Sequence, residues 1–415
     1  MQLNHLRPNR RLRAISLFTG AGGLDYGFES AGFETAVALD LDAMACETLR
    51  LNRPWPVIQG DVARIPSKTI LETAGLDQGS PDVLIGGPPC QPFSKSGYWA
   101  NGDAGRLSDP RANTLRAYLR VLEDTLPRTF LLENVPGLAF SGKSDGLDLI
   151  QFGVSTINER CGTNYNLSIR SLNAANFGVP QLRQRVFVIG DREGREFTFP
   201  EPTHGTNDGP LGSRAAYRNA WDALGDLGEP NDDTTLQLSG KWADLIATIP
   251  EGSNYLWHTE RGGGVPLFGW RTRYWNFLLK LAKDLPSWTL QAQPGPATGP
   301  FHWNNRRLSI REMQRLQTFP DDVLIPYGRS DAQRLIGNAV PSALAEVLAA
   351  SLAEQFLDQR PVQATLVPPC RGAPPPPQAL PPVPLKYRHL IGQHAAHPGT
   401  GKGTRASARR MELAF

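Results

Sequence analysis

The stretch Asp82-Val83-Leu84-Ile85-Gly86-Gly87-Pro88-Pro89-Cys90-Gln91-Pro92-Phe93-Ser94 changes character halfway along. Its opening is a short, mostly apolar run of the kind found in a buried parallel strand, and the glycines and prolines after it are turn residues. A cysteine between prolines sits on a stiff backbone that holds its sulfur in one direction. In an open α/β sheet, ligands and chemistry collect at the carboxyl ends of the strands. Cys90 is therefore a candidate nucleophile, because a thiolate is the strongest nucleophile a protein side chain offers near neutral pH. A lone cysteine is more often buried and inert. The irregular proline–glycine loop argues against that reading.

Working outward toward the N-terminus, residues 14–18 (Ala-Ile-Ser-Leu-Phe) read as a strand. Thr19-Gly20-Ala21-Gly22-Gly23 follows, and then a helical pattern with Leu24 and Phe28 on one face. Strand, glycine turn and helix open a nucleotide-type fold, in which glycines let the backbone approach a ligand. The spacing is not GxGxxG, so a purely structural turn stays open. The next strand, residues 35–39, ends at Asp40, where a carboxylate can accept two ribose hydroxyls. Asp42 reads as the N-cap of a helix over 43–51 that Pro54 stops. Asp61, in Gly60-Asp61-Val62, is a second carboxylate on a turn, with or without a function.

In the other direction, the polar residues 95–107 suggest a loop that closes over substrate, and Asp109-Pro110-Arg111 starts a helix to about residue 123. The apolar run 129–132 delivers Glu133-Asn134-Val135 at its carboxyl end. A carboxyl group buried there has a raised pKa and can donate a proton; a capping or ion-pairing Glu is the alternative. Farther on, Gln181-Leu182-Arg183-Gln184-Arg185 leads into the strand run 186–189. Arg183 and Arg185 alternate by two, which on one extended strand puts them on one face.

Gly-Pro-Pro-Cys-Gln-Pro-Phe-Ser around Cys90 resembles the nucleophile loop of the C5-cytosine-specific DNA methyltransferases of bacterial restriction–modification type. Phe-x-Gly-x-Gly-Gly, the Asp40 and Asp61 turns, Glu-Asn-Val, Gln-x-Arg-x-Arg and Ile336-Gly337-Asn338-Ala339-Val340-Pro341 resemble further motifs of that family, in its order, over residues 13–357. The family more often has Glu where this chain has Asp40. The resemblance implies a doubly wound, mostly parallel α/β sheet of the S-adenosylmethionine-dependent methyltransferase fold, carrying an inserted smaller target recognition domain. It assigns residues 1–191 and 306–357 to the catalytic part and 192–305 to target recognition. Cys90, Glu133, Arg183 and Arg185 are implied as catalytic. Phe18, Gly20, Gly22, Gly23, Leu24, Asp40, Asp61, Pro89 and Asn338 are implied to bind S-adenosylmethionine. Ser94, Arg261, Arg271 and Arg273 are expected at double-stranded DNA. An expected monomer, a restriction endonuclease as functional partner and a place beside the bacterial nucleoid complete the implication.

Composition narrows the alternatives. The four cysteines (46, 90, 161 and 370) form no CxxC pair, so neither a disulfide framework nor a metal site is expected. No apolar segment opens the chain, so a cytoplasmic setting without membrane is expected. Eight of the 43 Lys and Arg residues lie in 360–411, where no acid occurs, so the remainder, with 40 acids, is net negative. DNA binding by the body thus needs local basic clusters. The Pro-rich, basic residues 358–415 read as a disordered, solvated tail. Seven of the nine tryptophans fall within 192–305, with a packed core as their default role. Three other classes remain: an RNA cytosine methyltransferase, a nucleotide-binding oxidoreductase and a catalytically silent DNA-binding relative.

Overall fold

A computed structural model describes residues 11–89, 113–139, 145–206, 214–230, 233–270, 274–360 and 363–393. The expected loop over 95–107, the helix start at 109–111, and Cys90, Ser94, Arg271 and Arg273 lie outside these residues.

The apolar runs pair into one seven-stranded sheet. Its strands are β1 (Leu12–Leu17), β2 (Phe33–Asp40), β3 (Val57–Gln59), β4 (Val83–Gly86), β5 (Thr129–Asn134), β6 (Asn166–Asn173) and β8 (Gln184–Asp191), in the order β3-β2-β1-β4-β5-β8-β6. The five strands β3, β2, β1, β4 and β5 run parallel, while β8 lies antiparallel between β5 and β6. Their apolar residues, such as Val83, Leu84, Phe130 and Leu132, are fully buried because helices cover both faces. One face carries α1 (Gly23–Ser30) and the helix Ser342–Phe356; the other carries the helices Asn113–Thr125 and Asp145–Cys161. Gly27 permits the first pair to touch, since a Cβ there would stand 2.4 Å from Ser342 O.

The chain winds from β1 out to β3, returns to β4 beside β1 and winds the other way to β5. The order reverses between β1 and β4, so the crevice at their carboxyl ends is the site such a sheet provides. The expected ends fall there: Phe18 after β1, Asp40 closing β2, Gly87 after β4 and Glu133 near the end of β5. The helix Ile310–Leu316 has a capping box, with Ser309 and Glu312 bonding each other's backbone amides.

Among the described residues, the region between β8 and that helix contains two-residue strands, one short α-helix and 3-10 turns. Its second half packs around Leu245, Ile246, Tyr255, Leu278 and Phe301. Tyr387 joins this core from the chain's C-terminal segment. Residues 363–393 are mostly exposed, as a solvated tail would be, but they are anchored to the body at several points. Tyr387 is 2% exposed, stacks on Trp242 with centroids 5.9 Å apart, and donates its hydroxyl to Lys241 O at 2.8 Å. Thr365 and Leu366 donate backbone amides to the buried Glu346 carboxylate, and Arg371 binds Asp222 and Asp226. These contacts offset the conformational entropy that proline-rich composition alone leaves unopposed. Among the described residues, 329–356 is long and apolar enough to cross a membrane, but Pro341 breaks it into two helices and most of it is buried.

Candidate active site

Glu133 is held at the end of a fully buried strand and is itself 9% exposed. Antiparallel pairing sets Glu133 opposite Phe187 and Asn134 opposite Val186. The start of β8 therefore lies at the carboxyl end of β5, which brings Arg185 alongside. Arg185 Nε donates to Glu133 Oε1 at 2.8 Å, with both side chains nearly buried. Burial pushes the Glu133 carboxyl above its ordinary range, and the charges of Arg185 and Arg183 oppose that rise. Burial pushes the Arg185 guanidinium down, and Glu133 pushes it back up. The pair is a carboxyl group oriented and electrostatically restrained by one arginine.

The loop after β4 lies against this pair. A Cβ on Gly87 would come within 2.9 Å of Glu133 Oε2, so a larger residue there would press on the carboxylate that Arg185 holds. Asn134 Nδ2 donates to Pro88 O at 3.1 Å, and Thr114 Oγ1 to Pro89 O at 3.1 Å. Both ties fix the backbone of the loop one and two residues before Cys90.

The second cluster surrounds the turn after β1. Phe18 has φ 54, a left-handed conformation uncommon for a bulky residue, so the surrounding structure holds it there. Gly20, at φ 58, donates its amide to Asp40 Oδ2 at 2.7 Å, and a Cβ on Gly20 would meet open space. Asp40 Oδ1 accepts the Asp42 amide at 2.8 Å, and burial raises the Asp40 carboxyl. Gly22, at φ 84, precedes α1, and a Cβ on Gly23 would stand 2.3 Å from Val340 O. Asn338, exposed at the end of the helix Arg329–Asn338, precedes by two residues the Val340 that lies against Gly23. Asp61 is half-exposed and accepts the Ala63 amide at 2.9 Å; Pro89 is exposed. Leu24 differs: its side chain, 6% exposed, belongs to the core beside Phe28.

The matching family model is that of the C-5 cytosine-specific DNA methylases, over residues 12–354. The chain belongs to this family. It is 42% identical over 384 residues to the Type II methyltransferase M.SacI of Streptomyces achromogenes, covering 85% of this chain and 96% of that protein. It is 33% identical over 363 residues to the Type II methyltransferase M.NgoFVII of Neisseria gonorrhoeae, covering 86% and 91%. In fold it is similar to a prophage-encoded chain of E. coli, with a TM-score of 0.60 and 23% identity over 84% of this chain and all of that one. It is likewise similar in fold to the S. pombe Dnmt2 methyltransferase, with a TM-score of 0.54 and 17% identity over 83% and 99%. As a C-5 cytosine-specific DNA methylase it is a DNA cytosine-5-methyltransferase of the restriction–modification class, and its family implies S-adenosylmethionine as methyl source.

Within this methylase the two arginines part company. Arg183 is 1% exposed and donates to Gly337 O at 2.8 Å, Ala339 O at 2.9 Å and Leu290 O at 3.4 Å. Its guanidinium ties the region before β8 to the glycine-turn flank instead of reaching Glu133. The reason lies in the backbone: β7 (Gln181–Leu182) pairs with β11 (Ser287–Trp288), while β8 begins at Gln184 in the main sheet. Arg183 stands between two sheets, and the alternation by two does not run through it. Arg261 lies 5.3 Å over the Trp270 ring. The tie from Asn134 to Pro88 O and the role of Gly87 escaped sequence reasoning; the Asn of Glu-Asn-Val was their only signal.

Proposed function

We propose that this chain methylates C5 of a cytosine flipped out of a specific duplex DNA sequence, through a covalent bond between Cys90 Sγ and cytosine C6. The observation that carries the reading is the buried Glu133–Arg185 pair lying against Gly87 of the loop that leads into Cys90. Cytosine C5 is a poor nucleophile. Addition of the Cys90 thiolate at C6 makes C5 carbanion-like, and Glu133 at N3 absorbs the charge by holding or supplying a proton. Arg185 orients Glu133 and bonds the exocyclic O2. Loss of the C5 proton after methylation then expels the cysteine and restores the ring. A stacked cytosine cannot reach such a site, so the base leaves the helix.

S-adenosylmethionine fits the second cluster: the open space at Gly20, the carboxylates of Asp40 and Asp61 and the ring of Phe18 match the hydroxyl and purine chemistry of an adenosine. When bound there, it supplies an electrophilic methyl group. Gly22, Gly23, Pro89 and Asn338 would border it, and Arg183 and Leu24 would support the pocket from behind. Residues 192–305 serve as target recognition domain, with Ser94, Arg261, Arg271 and Arg273 at the DNA. The enzyme works as a monomer beside the nucleoid and protects DNA from a cognate restriction endonuclease.

Bisulfite sequencing of DNA from cells expressing the chain is expected to reveal one methylated sequence, absent when Cys90→Ser replaces it. Methylation that persists in Cys90→Ser cells would overturn the assignment of the nucleophile.

A further inference from the structure

We propose that Trp275 and Trp288 form an aromatic ledge on which the opened duplex stacks beside the target cytosine, an inference that rests on the base-flipping reading above. The short ladder between β7 and β11 pairs Ser287 with Gln181 and Trp288 with Leu182. Gln181 and Ser287 are 0% and 1% exposed, and the Gln181 amide donates to Leu316 O at 3.2 Å, toward the body. Side chains alternate across an extended ladder, so Leu182 and Trp288 face the other way. Trp288 meets Trp275 edge to face there, with centroids 5.5 Å apart and planes at 69°.

The place of this pair gives it a partner. Leu182 precedes Arg185 by three residues, so their backbones lie at most about 10 Å apart. Through this ladder Trp288 is anchored to the segment that leads into the carboxylate–arginine pair. Trp275 is 37% exposed and its neighbour Tyr274 58% exposed, while Asn254 Nδ2 fixes the Trp275 carbonyl at 2.8 Å. Trp288 is half-buried and Trp275 partly open; aromatic surface of this kind beside a nucleic-acid site is a stacking platform, indifferent to sequence because every base has a π-face. Removing a cytosine from the stack uncovers the faces of its neighbours. An indole against such a face stabilises the opened duplex.

The test uses the full chain and two synthetic duplexes carrying the methylated sequence mapped by bisulfite sequencing. In one the target cytosine is paired with guanine; in the other it is mismatched and already weakly held. Wild-type transfer to both duplexes, measured first, separates failure of the ledge from failure of the cytosine chemistry. Trp275→Ala and Trp288→Ala are each expected to slow transfer to the paired duplex on the order of tenfold to a hundredfold. The mismatched duplex should recover most of that loss, and Trp275→Phe should retain most of the rate. A wild-type rate on the paired duplex, or an equal loss on both, would overturn the ledge, the latter being the mark of a disturbed fold.

Discussion

The carboxyl end of the sheet and the aromatic core that Tyr387 completes are built on opposite plans. In the first, main-chain ladders do the placing: Phe18, Asp40, Gly87 and Glu133 stand at or beside the ends of parallel strands, and Arg185 lies near the start of the antiparallel one beside them. In the second, ladders are nearly absent, and the shape depends on rings touching rings. Trp242 packs on Phe268, Phe277 and Tyr387 at 5.2–5.9 Å. Chemistry needs groups held to fractions of an ångström, and hydrogen-bonded strands supply that. A core held by side-chain packing can redistribute volume without breaking a ladder, which suits the target recognition role proposed for this region.

The difference can be broken most visibly at Tyr387. Tyr387→Ala should cost about 3–5 kcal/mol of stability in the aromatic region, as for other buried aromatics. Hydrogen exchange should show amides near Tyr255 and Phe277 losing protection while β4 and β5 keep theirs. Equal loss in both regions would mean the two are one cooperative unit.

A comparable effect is available inside the sheet region through pH. Asp25 of α1 is wholly buried, accepts from Thr35 Oγ1 at 3.3 Å, and burial raises its carboxyl from 3.8 to about 7. The folded state therefore binds this proton more tightly than the unfolded chain. The stability it contributes is complete below pH 4 and is lost as pH rises toward 7, by up to about 4 kcal/mol. Asp25→Asn should flatten that part of the profile of melting temperature against pH. An unchanged slope would show that Asp25 ionises normally in the folded protein.

Arg185→Ala should lower kcat on the order of 10²–10³-fold, the usual loss for a preorganised donor, and Arg185→Lys should restore only part of it, because an ammonium cannot reproduce the guanidinium fork. A fully active lysine variant would reduce Arg185 to a point charge. The smallest effect is expected from Arg261→Ala. If Arg261 reads a guanine, discrimination at one position falls by about 1–3 kcal/mol; if it touches phosphate, binding weakens on every sequence and the salt dependence becomes shallower. Binding to cognate and scrambled duplexes at several salt concentrations decides which.

Legibility in the sequence followed the same divide. Glu133 and Asp40 could be placed because each ends an apolar run, and a run of that length and position leaves its last residue little choice. Arg183 could not, because the break between β7 and β8 depends on β11, more than a hundred residues away. Nor could the ordered segment 363–393, whose proline-rich composition hides one buried tyrosine and three backbone or side-chain anchors on Glu346, Asp222 and Asp226. The tryptophans split likewise: Trp303, 6% exposed, fills a core as expected, while Trp275 stands open. Burial of a single ring is settled by long-range packing, which local pattern does not encode.

The central claim is a covalent bond from Cys90 to the target base, and it can be caught directly. A duplex whose target cytosine carries fluorine at C5 has no proton to lose there, so the final elimination is blocked. Incubated with S-adenosylmethionine and the full chain, it should give a complex that survives denaturation, with the linkage mapped to Cys90 by tandem mass spectrometry and absent in Cys90→Ser. No stable complex from an enzyme that methylates the ordinary duplex, or a complex linked through another residue, would contradict the account.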